Sequence, residues 1–407
     1  MSPSDLLLLK IIRTGLMGRP LKYDPALGPE SWVNLLRSAE GQELLPLVFH
    51  AVYRLPSFKE LDKTVFEDYQ SRSLRAATRQ IVQANEFLTL LLHAQATGLD
   101  PVVMKGIIVR NLYPLPMLRS SVDEDLLILP NQVEAYHQFL LSEGLSCDVP
   151  DVSTEQEPSY HKASSPTYIE LHTSPLPADS DAYGDCNALF DGVLNRTVTV
   201  QIEDVTVRTL EPTDHLLFLI CHAYKHFLHS GVGIRPVCDI GMFSQAYGTE
   251  IDWNTVLSAC YSISIDRFAA ALFRISEKHL GFDMPDAFAG IDVDETDLLD
   301  DMLSGGLYGT ADIDRLHSSN MTLEAVSANK SGKHRGGLLH SVFLPAKSLS
   351  SRYPYLRRFP VLLPVAWSQR IFGYLNRKDG RSKVSPVKSV HIGNERISLL
   401  KEYGIIK

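Results

Sequence analysis

The stretch RSSVDEDLLILP, residues Arg119 to Pro130, sets acidic side chains directly ahead of an apolar run. Successive side chains of a strand point to opposite faces. A strand over 122–129 therefore carries Asp123 and Asp125 on one face and Val122, Glu124 and Leu126 on the other. Two carboxylates on one face repel each other, so the pair needs a protonated partner, a cation or open water. Which of these it has decides what this part of the chain can do.

The surroundings place this strand in a small α/β core. Upstream, "DPVVMKG" is a short β-branched run closed by Gly106, and "GIIVRNLYP" reads as a brief helix stopped by Pro114. Downstream, "PNQVEAYHQFLLSEG" predicts a helix that starts after Pro130 and ends at Gly144. "PTYIELHTSP" then predicts a strand with Tyr168, Glu170 and His172 on one face.

Residues before this core are helical in pattern: Trp32, Leu35, Leu36, Leu44, Leu45 and Val48 recur at helix spacing, and a helix over 80–97 ends at Gly98. Helical periodicity returns after Leu210, with "IDWNTVLSACYSISIDRFAAALFRISEKHLG" reading as a helix pair. The segment 304–337, rich in Gly, Ser, Asn and Thr, reads as a mobile loop or insertion. The expected organisation is α+β: a helical region over 1–98, an α/β core over 99–210 that carries the acidic pair, a helical domain over 211–300, and the loop with a C-terminal helical, basic tail over 301–407. No internal repeat is visible.

At 407 residues the chain exceeds one ordinary core, since domains typically hold roughly 100 to 200 residues. Its formal net charge of -9 argues against bulk electrostatic binding of nucleic acid, which depends on lysines and arginines displacing counterions. The tail from Arg352 onward is locally basic and leaves room for an anionic partner there. Five widely spaced cysteines without a CxxC pair fit buried thiols in a reducing cytosol, so a cytoplasmic location is expected. The N-terminus reads as an amphipathic helix, because Lys10 and Arg13 interrupt its apolar run. "FPVLLPVAWSQRIFGYL" contains two prolines and Arg370 and falls short of the ~20 apolar residues a membrane span requires. It reads as buried or partner-facing.

Carboxylates at i and i+2 of a strand, joined by a third from a neighbouring strand, can hold Mg²⁺, which takes oxygen ligands and keeps waters and phosphates as its other partners. Asp123, Asp125 and Glu170 could supply that set. His222 and His226 stand at i and i+4 on a helix, the spacing of zinc ligands. They lack an intervening Glu and a third ligand, so they read as a helix-face pair bonding to backbone or to Asp239. His172 would sit at the rim of the site.

The succession "VVMKG", "LYPLPMLRSSVDEDLLIL", "YIELH", "LEPTDHLLFLICHAYKH", "RPVCDIG" and "IDWNTVL" resembles the poorly characterised bacterial nucleotidyltransferase family of the DNA polymerase β-like superfamily. The likeness extends from about Trp32 to Leu375. It implies a nucleotidyltransferase-like mixed sheet core flanked by N-terminal and C-terminal helical regions. It also implies a DxD pair in Asp123 and Asp125, with Glu170 as third carboxylate; these three are the expected catalytic and metal-binding residues. Lys105 and Gly106 would begin a helix facing the nucleotide phosphates. Arg119, Ser120 and Ser121, just before the aspartates, join the expected nucleotide-binding residues.

Two departures stand out. Glu124 occupies a position that is apolar in the superfamily's usual strand, so its charge must reach solvent or find a basic partner. Lys105-Gly106 replaces the usual Gly-Ser phosphate turn, which exchanges a neutral donor for a point charge suited to a triphosphate.

The resemblance implies transfer of a nucleoside monophosphate from an NTP, with Mg²⁺ or Mn²⁺, to an acceptor hydroxyl or phosphate. Backbone N–H groups of Gly106 and Ile107 would receive phosphate oxygens, while Lys105 and Arg119 neutralise the triphosphate. The alternative is a catalytically inactive binding or regulatory protein on the same fold, a reading kept open by Glu124 and by the absence of an obvious acceptor-binding motif. Acceptor and base preference have no portable signature. Small molecules, sugars, peptides and proteins are all open as acceptors, and the acidic chain makes nucleic acid the less favoured one.

Overall fold

The computed structural model describes residues 1–149, 152, 157–307, 313–332, 349, 353, 355–375 and 386–407. Val102, Val103 and Met104 form β1 (Val102–Met104), every residue of which is buried. It pairs antiparallel with β2 (Glu124–Leu127), Met104 lying opposite Asp125. β2 in turn pairs parallel with the strand Tyr168–His172, which sets Asp125 opposite Glu170. With β3 (Ser146–Cys147), β4 (Ser159–His161), β5 (Tyr168–His172), β6 (Thr197–Ile202) and β7 (Val205–Leu210), these strands make one mixed sheet in the order β3-β4-β5-β2-β1-β7-β6. The α+β expectation holds, and β2 lies at the centre of the sheet. β2 is shorter than the strand expected over 122–129: Asp123 precedes the ladder and Val122 is exposed rather than packed with Leu126.

One face of the sheet is covered by α4 (Lys63–Ala96), following α1 (Pro3–Leu16), α2 (Pro29–Gly41) and α3 (Leu45–Val52). Phe87, Leu88, Leu90 and Leu91 of α4 join Val103, Leu126, Ile169 and Leu171 of the sheet in one core. At 34 residues α4 starts well before the predicted position 80, yet it ends where expected, with Gly98 at φ 82°. A left-handed residue there suits glycine, which has no Cβ to clash. The first helix is closed by a reciprocal cap between Ser2 and Asp5 and buries Leu8, Leu9, Ile11 and Ile12.

The short α5 (Gly106–Arg110) follows β1, and α6 (Val133–Ser142) follows a single 3₁₀ turn begun by Pro130. Beyond β7 come α7 (Pro212–Leu228), α8 (Ile234–Tyr247) and the expected helix pair, α9 (Trp253–Ser262) and α10 (Asp266–Ile275). The chain divides into two compact units, Met1–Ala311 and Asp312–Lys407.

In the second unit, Ile313–Ser331 is a helix, which overturns the loop reading for that part of 304–337; residues 308–312 and 333–337 lie outside the described residues. Its buried positions Ser318, Thr322 and Val326 recur at helix spacing but are mostly small and polar, so hydrophobic periodicity does not register them. In "FPVLLPVAWSQRIFGYL", Phe359, Val361 and Val365 are exposed, whereas Ala366 is buried. Among the described residues, no helix is long and apolar enough to cross a membrane. The five cysteines are unpaired, four of them buried.

Candidate active site

β1 delivers the chain to Lys105, which has φ 32° and ψ -123°. A non-glycine residue held there is strained and persists only when its surroundings determine it. Its N–H donates to His215 Nε2 of α7 at 3.1 Å. His215 Nδ1 lies 3.3 Å from Thr209 Oγ1, and the Thr209 hydroxyl donates to Val103 O at 2.6 Å. All three bonds are made when His215 is neutral with its proton on Nδ1. Burial favours that form, holding the imidazole pKa down to about 3.

The Lys105 ammonium is directed at the acidic face of β2. Nζ lies 3.0 Å from Asp125 Oδ2, 3.3 Å from Asp123 Oδ2 and 3.1 Å from His222 Nε2. Burial works to raise the Asp123 pKa, but the adjacent Lys105 charge outweighs it and holds this carboxyl well below the usual range. Asp125 is buried between two cationic groups: its Oδ1 accepts from His172 Nε2 at 2.9 Å. His172 also places Nδ1 3.1 Å from Glu157 Oε1 and Nε2 3.6 Å from Glu170 Oε2. Burial alone would lower the His172 pKa; the surrounding carboxylates of Asp125, Glu157 and Glu170 raise it well above its ordinary value.

The donor set fits a divalent cation. One ligand atom each from Asp125, Glu170 and His172 can be chosen so that all lie within 4.8 Å of one another. Asp125 Oδ2 is buried and accepts no well-directed hydrogen bond among the described residues, its company being the Lys105 charge. Carboxylate oxygens suit Mg²⁺ and Mn²⁺.

A family model described as "uncharacterised nucleotidyltransferase" matches residues 28–281, more than half of the chain. The chain belongs to the uncharacterised nucleotidyltransferase family. The match ends at Gly281, so the C-terminal part of the resemblance, toward Leu375, lies outside it. No curated protein and no solved structure matches the chain.

In this nucleotidyltransferase-family chain, Glu124 has the basic partner its position demanded. It points away from the aspartates and is fully buried; Oε1 accepts from Arg110 Nη2 at 2.7 Å and Oε2 from the Ile107 N–H at 2.7 Å. A Cβ at position 106 would run into the Glu124 carboxylate, and φ at Gly106 is 43°, so glycine is required twice over. The same contact corrects the expectation that the Ile107 N–H receives phosphate. The Ile107 N–H is already taken, and α5 is only five residues long.

Arg119 binds neither Asp123 nor Glu124. Its Nε and Nη2 donate to Asp239 of α8 at 2.7 and 2.8 Å, and Tyr113 donates its hydroxyl to the same carboxylate at 2.7 Å. Burial works against the Asp239 charge, yet Arg119 keeps the carboxyl below its ordinary pKa. Ser121 accepts from Arg110 Nη2 at 3.1 Å, and the Ser120 carbonyl accepts from Arg235 at 2.8 Å. These residues brace the approach to the aspartates.

His222 and His226 bond to each other at 3.2 Å, and His222 to Lys105, so the pairing with Asp239 considered for them is not made. Burial, then the Lys105 charge, depresses both imidazoles well below their usual pKa. The structure thus gathers Lys105, Asp123, Asp125 and Glu170 as a cluster, with His172 and His222 beside it. His215, Asp239, Arg110 and Glu157 carry no sequence signal of their roles, because their partners are distant in the chain. His215 and Lys105, for example, are 110 residues apart.

Proposed function

We propose that this protein is a nucleotidyltransferase that uses a divalent cation to move a nucleoside monophosphate from an NTP to an acceptor hydroxyl or phosphate. The observation that carries this reading is the pairing of Asp125 with Glu170 on adjacent parallel strands, with the Lys105 ammonium 3.0 Å from Asp125. Asp123, Asp125 and Glu170 would hold Mg²⁺ or Mn²⁺, with His172 bracing Asp125 from the side. When bound there, such an ion offsets phosphate charge and lowers the pKa of an acceptor hydroxyl.

The chain's own residues supply position and charge. Lys105 turns toward the triphosphate as a point charge, held at its backbone by His215. His172, between Asp125, Glu157 and Glu170, keeps the carboxylates from relaxing apart. The acceptor oxygen bonds to the α-phosphorus, the bond to the bridging oxygen breaks, pyrophosphate leaves, and the acceptor proton passes to a site carboxylate or to water. Positioning and electrostatics supply most of the catalysis in such transfers. The burial of Glu124 against Arg110 supports this reading, because it accounts for one of the features that had kept an inactive relative open.

The test is thermal melting with ATP, GTP, CTP or UTP and Mg²⁺ or Mn²⁺. At least one combination should raise Tm, and the double variant Asp123→Asn, Asp125→Asn should lose the rise. A melting curve unmoved by all combinations contradicts the reading.

A further inference from the structure

The Lys105 ammonium rests on the same oxygens that the proposed cation would use, Asp125 Oδ2 at 3.0 Å and Asp123 Oδ2 at 3.3 Å. An ammonium and a divalent ion cannot share these oxygens at close range, because like charges repel strongly where water is excluded. We propose that Lys105 competes with the divalent cation for Asp123 and Asp125, and so sets how tightly the cation binds. This rests on the cation reading of the aspartates and adds a second role for Lys105 beside its approach to phosphate.

The geometry provides for the exchange. Beside the ammonium is a small cavity of about 20 Å³ lined in part by Lys105, Asp123, His222, Arg119, Arg235 and Asp239, the two guanidiniums being paired with Asp239 and with Glu43. A space above roughly 10–15 Å³ accommodates one water-sized group, which is the size of an ammonium head. His222 Nε2, 3.1 Å from Nζ, is a neutral acceptor that the ammonium can keep while it leaves the carboxylates. The backbone of Lys105 stays where His215 holds it, so the movement is confined to the four-carbon stem. The phosphates of an NTP would draw the ammonium away from the aspartates, coupling nucleotide binding to cation binding.

The measurement is Mn²⁺ affinity without nucleotide, read as free Mn²⁺ by electron paramagnetic resonance. Lys105→Met should bind Mn²⁺ at least about tenfold more tightly than wild type, the scale expected for removing one buried competing charge. Asp123→Asn, Asp125→Asn should lose binding. Equal affinity of wild type and Lys105→Met, with the aspartate variant still losing it, overturns the competition and leaves the cation reading intact. Failure of Mn²⁺ to bind either protein, or binding unaffected by the aspartate variant, overturns both.

A second measurement needs no substitution. Acylation of Lys105 in the wild-type protein by an amine-reactive ester, followed by mass spectrometry, should speed up several-fold when Mn²⁺ is added, as charge competition releases the buried amine. An unchanged rate at saturating Mn²⁺ overturns the proposal.

Discussion

Glu124 and Arg110 form an ion pair that solvent does not reach, Oε1 to Nη2 at 2.7 Å, on the side of β2 opposite the aspartates. The pair is costly as well as cohesive. Arg110 Nε and Nη1 are buried without hydrogen-bond partners among the described residues. Burial also pushes the Glu124 pKa up and the Arg110 pKa down, each against the attraction of its partner. Removing one member leaves the other charge uncompensated, whereas replacing both with apolar groups is far milder.

Glu124→Gln is therefore expected to cost about 3–5 kcal/mol in urea denaturation. The double variant Arg110→Met, Glu124→Leu should recover part of that loss, short of all of it because the Ile107 N–H would still lack its acceptor, a cost of about 1–3 kcal/mol. A single-variant loss below about 1 kcal/mol would mean that the pair is solvated rather than buried.

The Arg119–Asp239 contact makes a similar demand on shape. Two parallel N–H bonds at 2.7 and 2.8 Å match a guanidinium and not an ammonium. Arg119→Lys keeps the charge and should still lose about 2–4 kcal/mol of stability, since a lysine leaves part of the buried carboxylate unpaired. A melting temperature within experimental error of wild type would show that charge alone suffices.

His215 yields a pH dependence with a definite sign. Its folded pKa, about 3, lies below the ordinary value of 6.5. Between these values the unfolded chain takes up a proton that the folded chain refuses, so the contribution of His215 to stability falls as pH drops below the ordinary histidine pKa. Its slope approaches ~1.4 kcal/mol per pH unit. The stability of wild type should therefore fall more steeply from pH 6 to pH 5 than that of His215→Gln, by about 1 kcal/mol over that unit. Parallel pH profiles would place the His215 ring in solvent.

What was legible in the sequence was the part governed by strand alternation. The pattern of "SVDEDLLIL" and "YIELH" was enough to put Asp123 and Asp125 on one side, Glu124 on the other, and Glu170 with His172 together. The partners of these groups were not legible. Arg110 meets Glu124 because α5 turns back beside β2, and Asp239 meets Arg119 because α8 packs there, relations that belong to tertiary structure. The resemblance turns Lys105 toward phosphate, whereas its seat on the aspartates depends on the antiparallel register of Met104 with Asp125. The helix Ile313–Ser331 escapes hydrophobic periodicity for a different reason: its inward positions include Ser318 and Thr322, residue types that composition assigns to loops.

In the proposed function, Asp123, Asp125 and Glu170 hold a cation that meets a nucleoside triphosphate beside Lys105. The most direct test is a crystal structure with Mn²⁺ and a non-hydrolysable NTP analogue, with data collected at the manganese absorption edge. An anomalous peak bounded by Asp125 and Glu170 is expected, with the triphosphate in reach of Lys105 and its ammonium turned away from Asp125. Manganese and nucleotide bound elsewhere, with Lys105 still seated between Asp123 and Asp125, would contradict it.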